Sequence, residues 1–418
     1  MSVSKSRNSE EKRQQEIWAR TKKVLNFSEG EEERGLALHR ESIVIDSLFP
    51  GAGVMPYSNR LVTSLETMLE EGKPYGDIIN EIDRLAHIDI VESQEIRDGY
   101  LQSWKRSGVT CANRALWPPG ESGFRGALKN LSLSKNKIDR FDEINLALSA
   151  EDIRRAKKEG RHAIIWSLLN TTVLGGGFDV SEELNNVDLF YGLGVRAMEL
   201  TFNYRNFVGD GCMERYESGI SHYGVKIVER MNSLRMLVDV SHSGYQTTID
   251  AVDLSKYPVV ASHTTCRSVK DHVRGKTDDE MMTIAEKGGY IGICQTTPYL
   301  GGKRTLKEFL DHVEYAVELV GIDHVGIGTN NKYRPFNPRK IGTLVKQTWQ
   351  SPDSGIDWWL GRRAPISTTN IDETQTGSLT WINWPYFTVG LVTRGYSDDE
   401  IQKIIGGNFL RVIEKTIG

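Results

Sequence analysis

No stretch of this 418-residue chain approaches the roughly 18 consecutive apolar residues that a membrane span requires. Cysteine is sparse. Cys111, Cys212, Cys266 and Cys294 are widely spaced and no two form a Cys-x-x-Cys pair, so neither a thiolate zinc site nor a disulfide framework is indicated. A dominant charge is also lacking. The net charge is −4 and the basic residues are scattered, so no basic stripe marks a nucleic-acid surface. The N-terminal Met-Ser-Val-Ser-Lys-Ser-Arg-Asn is polar and has no apolar core of a secretory signal. No lipidation signal is legible at the C-terminus. A reducing, cytoplasmic setting is therefore expected, with neither a nucleic-acid nor a membrane partner. No Gly-x-Gly-x-x-Gly follows the first apolar run, which removes support for a dinucleotide-binding open sheet.

What the chain does contain is a rhythm of short, nearly continuous apolar runs separated by helical patterns. Eight runs read as strands: Ser42–Leu48, Val109–Leu116, Ala163–Leu169, Val195–Thr201, Met236–His242, Pro258–His263, Tyr290–Thr296 and His324–Asn330. Runs without polar alternation indicate parallel strands buried on both faces. Gly224–Leu234 and Asp278–Lys287 read as two of the helices between them. The expected fold class is α/β, a (β/α)8 TIM barrel spanning 41–418, with the doubly wound open sheet as the alternative. Residues 1–40 read as a charged N-terminal helical arm. Residues 51–107 form a helical insertion with helices over Leu61–Leu69 and Tyr75–Arg97. Residues 331–380 are an irregular, lid-like insertion rich in Pro, Gly and Trp, where Trp349, Trp358 and Trp359 suit a lid, a dimer contact or local packing.

A barrel gathers its chemistry at the C-terminal ends of its strands. Here those ends carry Asp46 and Leu48, Asn113 and Arg114, Asn170, then Phe202, Asn203 and Asn206, then His242, His263, Gln295 and Thr296, and finally Asn330 and Asn331. The rim is polar but poor in carboxylates. Two adjacent runs, Val-Asp-Val-Ser-His and Val-Val-Ala-Ser-His, close on His242 and His263. A lone strand-end histidine is most simply a satisfied core residue. Two in the same Ser-His setting indicate a site and are the candidate metal ligands. Catalytic zinc takes three protein ligands plus water, so a third ligand is needed from Asp46, Asn170, Glu214 or a position the pattern does not reveal. Arg274 reads as a fork for a substrate carboxylate or as a salt bridge to Asp278 or Asp279.

These residues resemble the membrane (renal) dipeptidase family, peptidase family M19. The resemblance runs from about Leu36 to the C-terminus. It is carried by Gly-Val-Arg-Ala-Met-Glu-Leu-Thr at 194–201, Met-Asn-Ser-Leu-Arg-Met-Leu-Val-Asp-Val-Ser-His at 231–242, Pro-Val-Val-Ala-Ser-His at 258–263, Arg274 with Asp278-Asp279, and Gly-Gly-Asn-Phe-Leu-Arg-Val at 406–412. Asn203–Gly219 resembles a bacterial branch. The resemblance implies a barrel, a homodimer, two zinc ions and hydrolysis of dipeptides and related amides. It further implies a His-x-Asp ligand pair on the first strand, a bridging Glu after the third, two His on the fifth and sixth, a carboxylate-binding Arg, and a catalytic Asp after the eighth. His242, His263 and Arg274 match that pattern. The His-x-Asp pair falls on Leu48 and Pro50, the bridging Glu near Leu169 or Asn170, the catalytic Asp on Asn330, and a substrate-side His on Phe202.

Loss of carboxylate ligands removes both donors and charge compensation. Ordinary binuclear zinc dipeptidase activity is therefore not expected, and the cofactor is one zinc or none. The leading reading is a divergent enzyme acting on a small amino-acid-, dipeptide- or amide-like substrate with a carboxylate. Its catalytic candidates are His242, His263 and Asn330, and its substrate-binding candidates are Arg274, Asn170, Phe202, Asn203 and Asp46. The alternatives are a non-catalytic binding protein and a partner subunit of an active homologue.

Overall fold

The computed structural model describes residues 3–49, 58–73, 75–116, 123–175, 179–331 and 377–418. Pro50, Trp349, Trp358, Trp359 and most of the 331–380 insertion lie outside these residues. Among the described residues there are nine strands: β1 Ile45–Phe49, β2 Cys111–Leu116, β3 Ile144–Leu146, β4 His162–Leu168, β5 Val195–Glu199, β6 Leu237–Asp239, β7 Val260–Thr264, β8 Tyr290–Ile293 and β9 Val325–Ile327. Eight pair in the order β1-β2-β4-β5-β6-β7-β8-β9, every pair parallel, while β3 lies beside β4 off this path. The path returns on itself where Asn330 N–H donates to the Leu48 carbonyl at 2.9 Å. This is the (β/α)8 barrel expected from eight buried apolar runs. The ninth strand, β3, had no counterpart in that expectation.

The strands of the barrel path are buried at every position, as parallel strands between an inner core and an outer ring of helices must be. The barrel interior is tight around β7. A Cβ on Gly292 would stand 2.1 Å from the Ser262 carbonyl oxygen, and one on Gly328 only 1.9 Å from it. Only glycine permits that approach. β7 shifts register against β8 between Ala261 and Thr264, and such a bulge re-aims side chains next to a site.

The inter-strand helices start at side-chain caps. Ser149, Ser221, Thr277 and Thr305 each accept a backbone N–H of the first turn, and Thr277 with Glu280 and Thr305 with Glu308 complete capping boxes. In the segment after β1, the helical pattern expected across Tyr75–Arg97 is divided into Tyr75–Glu92 and Gln94–Ser107. Ser93 leaves the helical conformation and caps the second helix through Ile96 N–H. Apolar periodicity runs through such a break, so it is invisible to a pattern reading.

The N-terminal arm consists of helices Val3–Leu25 and Glu29–Glu41, separated at Asn26 (φ 53°) and restarted by the Ser28–Glu31 capping box. It docks on helix Trp384–Thr393. Gly35 lets the two backbones meet, since a Cβ there would stand 2.7 Å from Val389 Cα. Buried His39 bridges Thr388 Oγ1 and the Ser107 carbonyl, both at 2.8 Å.

Asp46 ties these parts together. It is fully buried, and its carboxylate accepts Thr329 N–H at 2.8 Å, Thr329 Oγ1 at 2.6 Å, Trp381 Nε1 at 2.9 Å and Trp384 Nε1 at 3.4 Å. Burial pushes its pKa up to about 6 even with these donors pulling it down. One side chain thus joins β1, the end of β9 and the start of the C-terminal helices. Asp46→Ala orphans these buried donors and is expected to cost about 3 kcal/mol or more. Urea unfolding at pH 7 measures it, and a loss below about 1 kcal/mol would contradict this role.

Candidate active site

β5, β6 and β7 are consecutive neighbours, and side chains at the ends of β5 and β6 hold backbone amides of the neighbouring segments. Glu199 closes β5 and accepts His242 N–H at 3.1 Å. Asp239 closes β6, and its Oδ1 accepts Ser241 N–H at 3.0 Å, Ser241 Oγ at 2.6 Å and Ser262 N–H at 3.2 Å. Ser241 Oγ in turn accepts His263 N–H at 3.0 Å. Both Ser-His segments therefore have their backbone amides fixed by side chains rather than by the sheet ladder. His242 lies three residues beyond the last residue of β6, in a turn, whereas His263 remains inside β7. The expectation of two strand-end histidines holds for the second and is corrected for the first: Ser241 and His242 give their N–H groups to carboxylates, which ends the strand at Asp239.

The two imidazoles are buried and meet directly, Nε2 to Nε2, at 2.9 Å. The hydrogen bonds around them fix a consistent proton arrangement. Asn203 Oδ1 accepts from His242 Nδ1 at 2.7 Å, so His242 Nε2 carries a lone pair. It accepts from His263 Nε2–H, and His263 Nδ1 accepts from the Ser262 hydroxyl at 3.0 Å. Burial and the nearby Arg274 guanidinium hold both pKa values well below the ordinary histidine range. Both rings are neutral at neutral pH, the state in which imidazole offers a ligand lone pair. Phe202 stacks on His242 with ring centroids 4.2 Å apart and planes 21° from parallel.

The third member of the cluster is Glu199. One ligand atom from each of Glu199, His242 and His263 lies within 4.8 Å of the others, and all three residues are buried. Glu199 Oε1 holds the His242 amide, while Oε2 is buried with no hydrogen-bond partner. Burial and its cross-strand neighbour Asp239 raise the Glu199 carboxyl well above the usual carboxylate range. An unpartnered buried carboxyl oxygen beside two imidazoles is a donor that a divalent cation would satisfy, displacing any proton the carboxyl holds. Two nitrogens and one carboxylate also make a known donor set for catalytic zinc with a position left open. The residues present therefore fit one divalent ion. The sequence reading did not nominate Glu199. Its signal was a glutamate two residues on from Ala197, in step with it on the inward face of β5, where an unpaired carboxylate is rarely buried.

The other candidates stand as follows. Arg274 is buried; its Nη1 donates to the Ser241 carbonyl and its Nη2 to the His263 carbonyl at 3.2 Å, and Nε has no partner. It makes no pair with Asp278 or Asp279, whose carboxylates take Ser268 Oγ with Tyr315, and Tyr245, respectively. Next to it, buried Lys276 donates to the Ser243 carbonyl at 2.8 Å, Thr248 Oγ1 at 2.6 Å and Glu280 Oε1 at 2.8 Å, which fixes the far side of the His242 turn. A cavity of about 30 Å³ lies between this turn and Arg274, room for roughly two waters at ~10–15 Å³ each.

Asn170 caps a short turn through Thr172 N–H and accepts Asn206 Nδ2 at 2.8 Å. Glu214 accepts Arg205 N–H at 2.6 Å. Asn330, at φ 48°, donates from Nδ2 to Thr296 Oγ1 at 3.3 Å. Leu48 is buried at the mouth of β1, and the Asp46 carboxylate is committed to Thr329 and the two tryptophans. Of the rim positions considered for a third ligand, Asp46, Asn170 and Glu214 are each engaged elsewhere.

A family model described as membrane dipeptidase, peptidase family M19, matches residues 63–340. Dipeptidase verJ of Clonostachys rogersoniana is 26% identical over 340 residues, which are 79% of this chain and 76% of that protein. Dipeptidase 3 of Homo sapiens is 25% identical over 334 residues, 77% of this chain and 57% of that one. Among solved structures, an amidohydrolase from Pseudomonas aeruginosa superposes with a TM-score of 0.65 at 25% identity, covering 91% of this chain and 98% of its own. A metallo peptidase from Rhodobacter sphaeroides, liganded with a phosphinate mimic of the dipeptide L-Ala-D-Ala, gives 0.61 at 17% identity, a likeness of fold, over 90% and 99%. Among the described residues, no helix is long and apolar enough to cross a membrane. With the barrel, the paired Ser-His turns and a family match over most of its length, the chain belongs to the membrane dipeptidase family, peptidase family M19.

Proposed function

We propose that this chain is a divergent hydrolase of its family. It acts on a small amino-acid-, dipeptide- or amide-like substrate bearing a carboxylate, and it lacks ordinary binuclear zinc dipeptidase activity. One observation carries the reading. The β5–β7 side of the barrel mouth is a preorganised site of two neutral imidazoles with Arg274 anchored beside them, whereas the β1 side presents buried Leu48 and a carboxylate already saturated by Thr329, Trp381 and Trp384. A first metal has no ligands among Leu48, Asp46 and Asn330.

In this reading Arg274 orients the substrate. Two of its nitrogens are held by the carbonyls of the two Ser-His segments, so the guanidinium cannot swing away, and its remaining N–H groups suit a carboxylate. His242 and His263 would hold a divalent ion together with Glu199. Such an ion, when bound, supplies Lewis-acid polarisation of a substrate carbonyl. Asn203 acts through His242 as a positioning residue, since its Oδ1 fixes the Nδ1–H tautomer. Phe202 keeps water from one face of the His242 ring. Asn330 replaces a carboxylate and serves in polar contact with the substrate rather than as a proton acceptor. Asp46 serves the scaffold. A cytoplasmic homodimer is the setting this reading assumes.

Two measurements follow. Across a panel of dipeptides, N-acyl amino acids and simple amides followed by mass spectrometry with added zinc, turnover of ordinary dipeptides is expected to be absent or marginal, and at least one carboxylate-bearing amide is expected to be consumed. Brisk dipeptide turnover with two zinc ions per chain contradicts the reading. For the substrate so found, Arg274→Lys is expected to raise KM at least ~10-fold with a smaller change in kcat, as loss of a bidentate contact should. An unchanged KM removes Arg274 from substrate binding.

A further inference from the structure

We propose that Glu199 is a replacement metal ligand: with His242 and His263 it forms a one-ion site inside the barrel mouth, taking the place of the carboxylates that are absent from the strand ends of β1 and β4. This rests on the reading of the pocket as a working site and adds what fills it, a single divalent ion of the zinc class per chain.

Four observations converge. The three ligand atoms already share one buried locus. Glu199 Oε2 is buried and unpartnered, although its twin Oε1 is fully used by the His242 amide. The same carboxylate that would bind the ion therefore also sets the backbone that presents His242, so ligand and scaffold are one group. Each imidazole has an outer partner on Nδ1: Asn203 Oδ1 at 2.7 Å and Ser262 Oγ at 3.0 Å. Such partners orient metal-bound histidines. For His263 the hydroxyl can donate or accept, so the ring can present Nε2 as a lone pair by carrying its proton on Nδ1, with Ser262 turning its own hydrogen toward Ser241 Oγ at 3.1 Å. Finally, the neighbouring carboxylates already carry bonds of their own: Asp239 Oδ1 accepts from Ser241 and Ser262, and Asp46 from Thr329, Trp381 and Trp384. A second ion finds no comparable set among the described residues, because the described residues hold no other such group of three donors.

The ligand count follows from chemistry. Two imidazoles alone bind zinc weakly, and a carboxylate completes the three-ligand set with a position left open. One carboxylate against a divalent ion also explains why a single site suffices here where two ions need more negative charge.

The test uses the full chain, stripped with a chelator and titrated with Zn²⁺. Bound metal is counted after desalting, and Co²⁺ absorption serves as an independent readout. The expected result is one ion per chain. Glu199→Gln keeps an oxygen for the His242 amide but loses the anionic donor, and is expected to weaken affinity by at least ~100-fold, beyond the 10–100-fold typical of an outer partner, with its thermal transition by circular dichroism retained. His263→Ala, which leaves Glu199 and its amide bond intact, is expected to lose the ion to the same degree and keeps the proposal falsifiable if the first variant does not fold. No bound ion, two ions per chain, or wild-type affinity in either variant overturns it. One ion bound without turnover of any substrate refutes the proposed function and leaves this site standing. Turnover that persists in chelator with no ion bound does the reverse.

Discussion

The site depends on a relay of side chains running across three neighbouring strands. Glu199 holds the amide of His242, Asp239 holds Ser241 and the amide of Ser262, and Ser241 holds the amide of His263. Glu199 thereby fixes the turn after β6, and Asp239 and Ser241 fix the end of β7. The sheet ladder stops short of these amides, and without the side chains several buried N–H groups would be unsatisfied, at about 1–3 kcal/mol each. On this fixed backbone the two imidazoles meet Nε2 to Nε2, each also held at Nδ1 by Asn203 or Ser262. Arg274 and Lys276 close it from outside, each bonded to backbone carbonyls of the same turns.

The barrel mouth is thus divided. On the β1 and β9 side, Asp46 gathers Thr329, Trp381 and Trp384, Phe49 stacks on Trp381 at 4.5 Å, and Leu48 is buried. That half has become structure. On the β5–β7 side, carboxylate, imidazole and guanidinium groups remain close together in a buried setting where electrostatic effects are strong. In the proposed reading the chemistry is confined to the β5–β7 half, a small centre with room for one ion.

Much of the barrel was legible in the amino-acid sequence, because parallel strands buried on both faces leave unbroken apolar runs. All eight runs became strands of the barrel path, with ends shifted by up to three residues. β3 escaped notice because Ile144–Leu146 has only three residues and no run to mark it. The break at Ser93 escaped because a cap interrupts backbone geometry without interrupting apolar spacing. At the site, His242, His263 and Arg274 were visible as residue types at telling positions. Glu199 was not, because the run extends through Leu200 and Thr201 and so places the strand end two residues beyond it. Whether a buried glutamate is structural or a ligand depends on which of its oxygens is left unpartnered, and no one-dimensional pattern contains that.

The most direct measurement of the central claim is a crystal structure of the metal-loaded chain with anomalous scattering recorded at the zinc edge. The account predicts one anomalous peak per chain, bounded by Glu199 Oε2, His242 Nε2 and His263 Nε2, with none near Leu48 or Asn330. Two peaks bridging toward β1, or none with the imidazoles still in direct contact, would contradict it.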